Sequence, residues 1–344
     1  MDSSFLTAAR PFGSRLPRIR RDRVQPTVRP VAGEMAEGTR SLLLEIALNV
    51  APEENALLSA ALPLTAAEAR KTAGHWAFEA PSNAINDWIA NAFPRYRDEE
   101  LNRIRVAIVA RLALDHCEIE DRLPPSVLGL YPSFYARLAG FLSNTTSRTY
   151  KPDFFCKDVR YALGLTVPCG LLQIDLRYRI GPRLVLREVI DSAPLRLGWD
   201  YLLSSAWGRW YNTHLDPREM GEFNPAGWTA SFGRIAETLE LNPHVCGAAG
   251  GSWFYDPVVG EISTELAYVR RNQIENGAFS IRLGEAPQHT KNALYASRTR
   301  QELYARGKYL PAGFLIAWPR RPLIAWAHAA DKDLTRDSGS LAVV

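Results

Sequence analysis

The sequence lacks an uninterrupted apolar run of about 18 residues, the length that a helix needs to span a bilayer. Its arginine-rich N-terminus has no long apolar segment directly behind it, as a secretory signal would have. Cysteine is scarce, and the four cysteines form no C-x-x-C pair. We therefore expect a cytoplasmic protein with reduced, buried thiols rather than a disulfide framework.

The chain also carries only a small excess of positive charge. The net charge of the 344 residues is +4, and the first thirty residues carry seven arginines against two acids. Residues 1–38 show no hydrophobic periodicity, which predicts a flexible basic arm. Without this arm the chain is close to neutral, so it lacks the broad basic surface of a nucleic-acid-binding protein. The expected partner is a small-molecule substrate.

The hydrophobic pattern changes along the rest of the chain. In residues 39–145 apolar residues recur mostly at helical spacing, and a long helix is predicted from Asp98 to about residue 123, with an acidic first turn. In residues 146–330 the pattern predicts helices at 228–241 and 290–306. Strands are predicted at 171–178, 184–190, 210–215, 244–255, 277–283, 314–318 and 323–327. Residues 331–344 form a polar tail. The predicted fold is α+β: a helical N-terminal region followed by a mixed β-sheet domain with flanking helices.

One candidate site begins with His214 and Asp216. The His-x-Asp spacing places both side chains on the same side of an extended segment, and a distant third ligand, such as His289, would complete a facial triad for Fe(II). This pattern resembles the 2-oxoglutarate-dependent oxygenases, in which Arg298 or Arg300 would bind the co-substrate carboxylate. The other interpretation is a local polar pair before the turn at Pro217.

A second candidate lies in the final third of the chain. Asn292 precedes the segment Leu303-Tyr304-Ala305-Arg306-Gly307-Lys308-Tyr309, and a strand follows. This arrangement resembles the C-terminal part of GNAT-superfamily acyltransferases. The resemblance implies a GNAT-like fold, a thioester donor and an amine acceptor. It also implies that Tyr304 is the general acid for the departing thiolate, a role that suits a phenol.

A glycine-rich segment belongs to the same hypothesis. Small residues fill the predicted strand 244–255, and a glycine run in a strand indicates a bulge or the close approach of a ligand. In the acyltransferase hypothesis the donor-binding residues are Gly250, Gly251, Ser252, Trp253 and Asn292, and His214 or Asp216 assists the amine. The sequence shows no Gln/Arg-x-x-Gly-x-Gly/Ala segment opening a helix, which in the family binds the coenzyme A pyrophosphate, and residues 281–290 contain only Gly284. The expected donor is therefore either acyl-CoA or an acyl-carrier-protein thioester. A third hypothesis, a non-catalytic protein that binds a partner through its aromatic surface, stays open.

Overall fold

A computed structural model describes residues 29–30, 37–48, 52–71, 87, 89–143, 152–191, 201–204, 208–295 and 297–340. Most of the predicted basic arm lies outside these residues. In the part of the chain that is described, no helix has both the length and the apolar character needed to cross a bilayer.

The N-terminal region is built around one buried helix. Its elements are β1 (Arg29–Pro30), α1 (Glu37–Leu48), α2 (Pro52–Lys71), α3 (Asp98–Asp115), β2 (Glu118–Ile119), α4 (Pro125–Leu128), α5 (Tyr131–Ser143) and α6 (Pro152–Ala162). The three acids Asp98, Glu99 and Glu100 open α3, and Glu100 accepts a hydrogen bond from the backbone N–H of Arg97. Consecutive residues of α3 are fully buried from Val106 to Ala110, so neighbouring helices cover it on every side.

The remaining elements form a six-stranded mixed sheet with its helices. They are β3 (Thr166–Pro168), β4 (Leu172–Tyr178), α7 (Pro182–Asp191), β5 (Arg209–Leu215), α8 (Pro225–Leu241), β6 (Val245–Ser252), α9 (Pro257–Ile262), α10 (Ala267–Glu275), β7 (Phe279–Gly284), α11 (Pro287–Leu294), α12 (Arg298–Ala305), β8 (Gly313–Pro319) and α13 (Arg320–Ser340). The strand order is β3-β4-β5-β6-β8-β7. The β5–β6 pair is parallel, and the other four pairs are antiparallel.

Helices cover both faces of this sheet. On the α8 face, Phe232 packs against Trp318 at a ring distance of 5.3 Å, and α13 packs beside α8. On the α7 face, Trp210 and Phe279 belong to one apolar cluster with Val185 of α7. Helix α8 buries Trp228, Phe232, Ile235 and Leu239, which recur at intervals of three or four residues. The core of the helical region and that of the α8 face form one continuous cluster.

The predicted α+β fold class is confirmed, but several predicted elements are wrong. Residues 184–190, predicted as a strand, lie in α7. Residues 323–327, also predicted as a strand, lie in α13, which continues through most of the predicted polar tail. Both segments are short and rich in apolar residues, so they fit the two-residue period of a strand as well as the 3.6-residue period of a helix. The long helix from Asp98 ends at Asp115, where the chain turns into β2 to pair with β1.

The predicted helix at 290–306 is two helices. Helix α11 ends at Leu294, and α12 begins after Ser297, whose hydroxyl accepts a hydrogen bond from the backbone N–H of Arg300. The sequence contains no proline or glycine at this break. Helix α12 begins at its own N-cap, Ser297. A single serine inside a helical pattern is a weak sequence signal for a new helix start.

Gly247 offers a test of how closely β6 approaches its neighbours. A Cβ atom there would lie 2.2 Å from the carbonyl oxygen of Trp318 and 2.7 Å from the ring of Trp210. Gly247→Ala should therefore lower the free energy of unfolding by about 1–3 kcal/mol, measured by urea denaturation.

The matched control is Gly233→Ala in the middle of α8, where a Cβ would meet nothing within 4 Å. This substitution should raise the free energy of unfolding by about 0.5–1 kcal/mol, because alanine is the better helix former. Equal effects of the two substitutions would contradict the described packing of β6.

Candidate functional site

The strands β5 and β6 separate at their C-terminal ends. Their pairing ends at Asn212 and Ala249, although β5 continues to Leu215 and β6 to Ser252. Beyond that point β5 pairs only with β4, and β6 pairs only with β8, among the strands that the structure describes. The inner edges of the last residues of β5 and β6 therefore face each other without ladder hydrogen bonds. We call this opening, between residues 214–215 and 251–252, the strand gap.

Glycine is required where the two strands diverge. A Cβ atom on Gly250 would lie 2.1 Å from Oγ1 of Thr213, so no larger residue fits between the strands at that position. Because side chains alternate along a strand, His214 and Gly251 lie on the α7 face, with Trp210 and Ala249. The predicted donor-binding residues from Gly250 to Ser252 thus form the β6 side of the strand gap.

His214 belongs to a buried polar network on the α7 face. Its Nε2 lies 3.0 Å from Oδ2 of Asp175 in β4 and 2.9 Å from Nδ2 of Asn212. The other carboxylate oxygen of Asp175 accepts a hydrogen bond from Thr166 at 2.5 Å and lies 2.9 Å from Nη2 of Arg160. The ring of His214 is therefore held by a carboxylate that is itself held on its far side.

Asp175 remains ionised although it is 1% exposed. Burial by itself raises the pKa of Asp175, but His214, Arg160 and the Thr166 hydroxyl together outweigh that effect and hold the pKa well below its usual range. A buried carboxylate that stays charged fixes the orientation of the imidazole and stabilises it when it gains a proton. The pair can thus accept a proton from a reacting group beside β5.

Asp216 is engaged in a different way. Its carboxylate accepts hydrogen bonds from the backbone N–H, Nε and Nη2 of Arg218, at 2.9–3.2 Å. Nη1 of the same arginine donates to Asp158 of α6 at 2.6 Å. Burial raises the pKa of Asp216, but the bonds from Arg218 outweigh it, and the pKa is lowered. Arg218 therefore ties the turn Pro217–Glu222 to α6, and Asp216 holds Arg218 in place.

The proposed iron ligands do not form a cluster. His214 contacts Asp175 and Asp216 contacts Arg218, whereas the His289 ring packs over Gly313 at the start of β8. No group of three or more His, Cys, Asp or Glu side chains among the described residues is arranged to hold a metal ion. The facial triad expected from the sequence is therefore not assembled.

The proposed co-substrate arginines are also occupied. Arg298 forms an exposed ion pair with Glu302 on α12. Arg300 is buried, donates to Ala293 O and to Ser263 Oγ, and lies 4.8 Å from the centre of the Trp253 ring. These contacts dock α12 against the residue that follows β6.

Tyr304 lies on the outer surface of α12. Its side chain is 41% exposed, and Asn292 on α11 accepts a hydrogen bond from Gln288. The second phenol of this segment, Tyr309, has no catalytic role in the sequence-based hypothesis. It is 4% exposed, and its hydroxyl has no hydrogen-bond partner among the described residues. Burial, and then the charge of Asp256, raises the pKa of Tyr309 to about 12. Tyr304 is therefore the accessible phenol of the two.

A cavity of about 370 Å³ lies at the C-terminal end of β5. Its wall comes from α5, the turn between β3 and β4, the turn Pro217–Glu222 and the first half of α8. Apolar side chains from Leu130, Phe134, Pro168, Leu171 and Ala230 share the wall with charged side chains from Arg137, Asp216, Glu219, Glu222 and Arg234. Of these residues, the sequence analysis had singled out Asp216.

The turn before α8 matches two of the three defining positions of the Gln/Arg-x-x-Gly-x-Gly/Ala segment, which the sequence does not contain in full. Arg218 and Gly221 occupy the first and fourth positions of a Gln/Arg-x-x-Gly-x-Gly/Ala segment, and Phe223 stands at the sixth position. Helix α8 begins immediately afterwards at Pro225. Asn224 caps this helix by accepting a hydrogen bond from the backbone N–H of Gly227, so one of the free N–H groups of the helix is already used.

Comparison with known proteins gives matches to solved structures. No protein-family model matches the chain, and no curated protein matches it. A crystal structure of an acyltransferase in complex with CoA and 10C-teicoplanin has a TM-score of 0.43 and 16% identity, covering 85% of this chain and 90% of that one. A structure of an acyltransferase with decanoyl-CoA and teicoplanin has a TM-score of 0.42 and 15% identity, covering 84% and 86%. The resemblance of residues 292–309 to the GNAT superfamily stays a prediction.

Proposed function

We propose that the chain is an acyltransferase that moves an acyl group from a thioester donor, of the acyl-CoA type, to an amine. The observation that carries this proposal is the strand gap. An amine attack on a thioester forms a C–N bond, breaks the C–S bond, and needs one group that accepts a proton and another that supplies one to the thiolate.

The strand gap suits an extended donor that carries amide groups. Unpaired backbone N–H and C=O groups at a strand edge add an extended chain through main-chain hydrogen bonds. The pantetheine arm of coenzyme A, or of an acyl carrier protein, is such a chain because it contains two amides. Lying between residues 214–215 and 251–252, it would bring its thioester next to His214.

His214 is the proposed general base. It stands on the last part of β5, two residues after the end of the β5–β6 pairing, and its imidazole is oriented by the ionised Asp175. In the proposed reaction His214 accepts the proton that the amine loses. Asp175 is a positioning residue that stabilises the resulting imidazolium.

Tyr304 is the proposed general acid. Its helix α12 is held against the end of β6 by Arg300, which stacks on Trp253. An exposed phenol on this helix can donate its proton to the departing thiolate, and Gly250 to Trp253 with Asn292 complete the proposed donor-binding set. Asp216 has its carboxylate bonded to Arg218, so in this proposal it shapes the site and does not take a proton.

The donor position can be tested by hydrogen exchange. Adding an acyl-CoA thioether analogue to the full chain should slow amide exchange in peptides that cover 213–216 and 250–253, because the donor supplies the missing hydrogen bonds. Peptides from 172–178, which is paired on both sides, serve as the internal control. Protection confined to other parts of the chain, or absent at saturating analogue, would contradict binding in the strand gap.

The catalytic roles can be tested by substitution. His214→Gln should lower kcat for acyl transfer by about 10²–10⁴-fold, because the general base is removed. Asp175→Asn should lower kcat as well, with an unchanged KM for the donor, since it disturbs the orientation of the base and not donor binding.

The matched control is Asp115→Asn, at the exposed last residue of α3. It should leave both constants unchanged. An Asp175→Asn variant that loses thermal stability but keeps its kcat would show that the carboxylate has only a structural role.

A further inference from the structure

The cavity at the end of β5 carries two charges that lack an ion-pair partner among the described residues. Arg234 donates to the carbonyl oxygen of Cys169 at 3.2 Å, but no carboxylate lies within ion-pair distance of it in this part of the structure. Glu222 is exposed at the rim of the cavity and has no basic partner among the described residues either. A ligand that enters the cavity removes water from both groups, and an uncompensated charge is costly once it is desolvated.

A third group points to the same conclusion. Arg137 uses one terminal nitrogen to bind Glu219 at 2.6 Å, while its Nε is buried without a hydrogen-bond partner in the described part of the chain. The Arg137 side chain also lines the cavity, so its guanidinium is a second cationic group on the wall beside Arg234. The cavity therefore offers donors for an anionic group at Arg137 and Arg234, and an acceptor for a cationic group at Glu222.

The balance of charges selects the class of ligand. Asp216 and Glu219 of the wall are already paired with Arg218 and Arg137. A plain anion would still leave Glu222 without a partner, and a plain cation would leave Arg234 without one. A neutral apolar molecule would fill the apolar part and leave Arg234 and Glu222 unpaired. We propose that the cavity binds a small zwitterion of the amino-acid type, with its carboxylate at Arg234 and Arg137, its ammonium at Glu222, and an apolar side chain against Phe134 and Leu171.

The size of the cavity agrees with such a ligand. A volume of about 370 Å³ lies at the lower end of the roughly 300–1,000 Å³ that is usual for small-molecule sites. Asp216, on the cavity wall, follows Leu215, the last residue of β5 and one side of the strand gap. We assign the zwitterion the role of amine acceptor in the proposed reaction, and this role, unlike the binding itself, rests on the proposed function.

Binding is tested without a donor, by calorimetry on the full chain. The probes are leucine, leucine methyl ester, which lacks the carboxylate, and N-acetyl-leucine, which lacks the ammonium. Leucine should bind at least about 10-fold more tightly than either derivative, because each derivative loses one charge-assisted contact. Similar affinity for all three probes, or no heat of binding with leucine at about 10 mM, would overturn the assignment.

Two variants test the binding of the ligand's carboxylate and of its ammonium separately. Arg234→Gln should abolish the preference for leucine over its methyl ester, and Glu222→Gln should abolish the preference over N-acetyl-leucine. Arg298→Gln, at an exposed arginine of α12, is the matched control and should leave both preferences intact. Loss of both preferences in either variant, together with a lowered melting temperature, would overturn the separate assignments of the two ends.

The acceptor role is tested by mass spectrometry with acetyl-CoA and leucine present together. Formation of N-acetyl-leucine supports both proposals. Zwitterion binding without product, and without donor protection at the strand gap, would leave the cavity assignment standing and overturn the acyltransferase. Donor protection at the strand gap without leucine binding would leave the acyltransferase proposal standing and overturn the cavity assignment.

Discussion

The parallel pairing of β5 with β6 determines how the sheet and its covering helices are arranged. Two adjacent parallel strands need a crossover connection, and α8 provides it. Each of these strands has an antiparallel partner on its outer side, β4 for β5 and β8 for β6. The two halves of the sheet can therefore diverge at the C-terminal ends of β5 and β6 while every strand keeps one full ladder. The strand gap is the result.

The polar network around His214 lies beside this divergence, on the β3–β4–β5 side of the sheet. Removing a carboxylate and a guanidinium from water costs desolvation free energy, so the buried Arg160–Asp175 pair adds little to the net stability of the fold. Its effect is on orientation: Asp175 is bonded to Thr166 on the edge strand and contacts His214 on β5. The network thus spans three strands on the side of the gap where the sheet remains intact. A base held in this way keeps its position when the other side of the gap contacts a ligand.

Much of the sheet could be predicted from the sequence, because β4, β5, β7 and β8 alternate or contain β-branched and aromatic residues. Helix α7 could not, since its residues 184–190 fit a period of two as well as one of 3.6. His214 was identified because the His-x-Asp spacing places it on the same side of an extended segment as Asp216. Asp175 was not, because polar residues that alternate along β4 predict a solvent-facing side, whereas β4 lies inside a sheet that is covered on both faces.

The cavity was beyond the reach of sequence reasoning for a different reason. Its charged residues come from α5, the turn Pro217–Glu222 and α8, which are distant along the chain, and no local spacing relates Arg137 to Arg234. What brings them together is again the crossover. Because α8 must begin near the end of β5, its first turns lie beside the β3–β4 turn, which is paired to that same end of β5. Ligand sites in sheets with parallel strands lie at the carboxyl ends of those strands for this topological reason. The strand gap and the cavity are therefore two consequences of one connection.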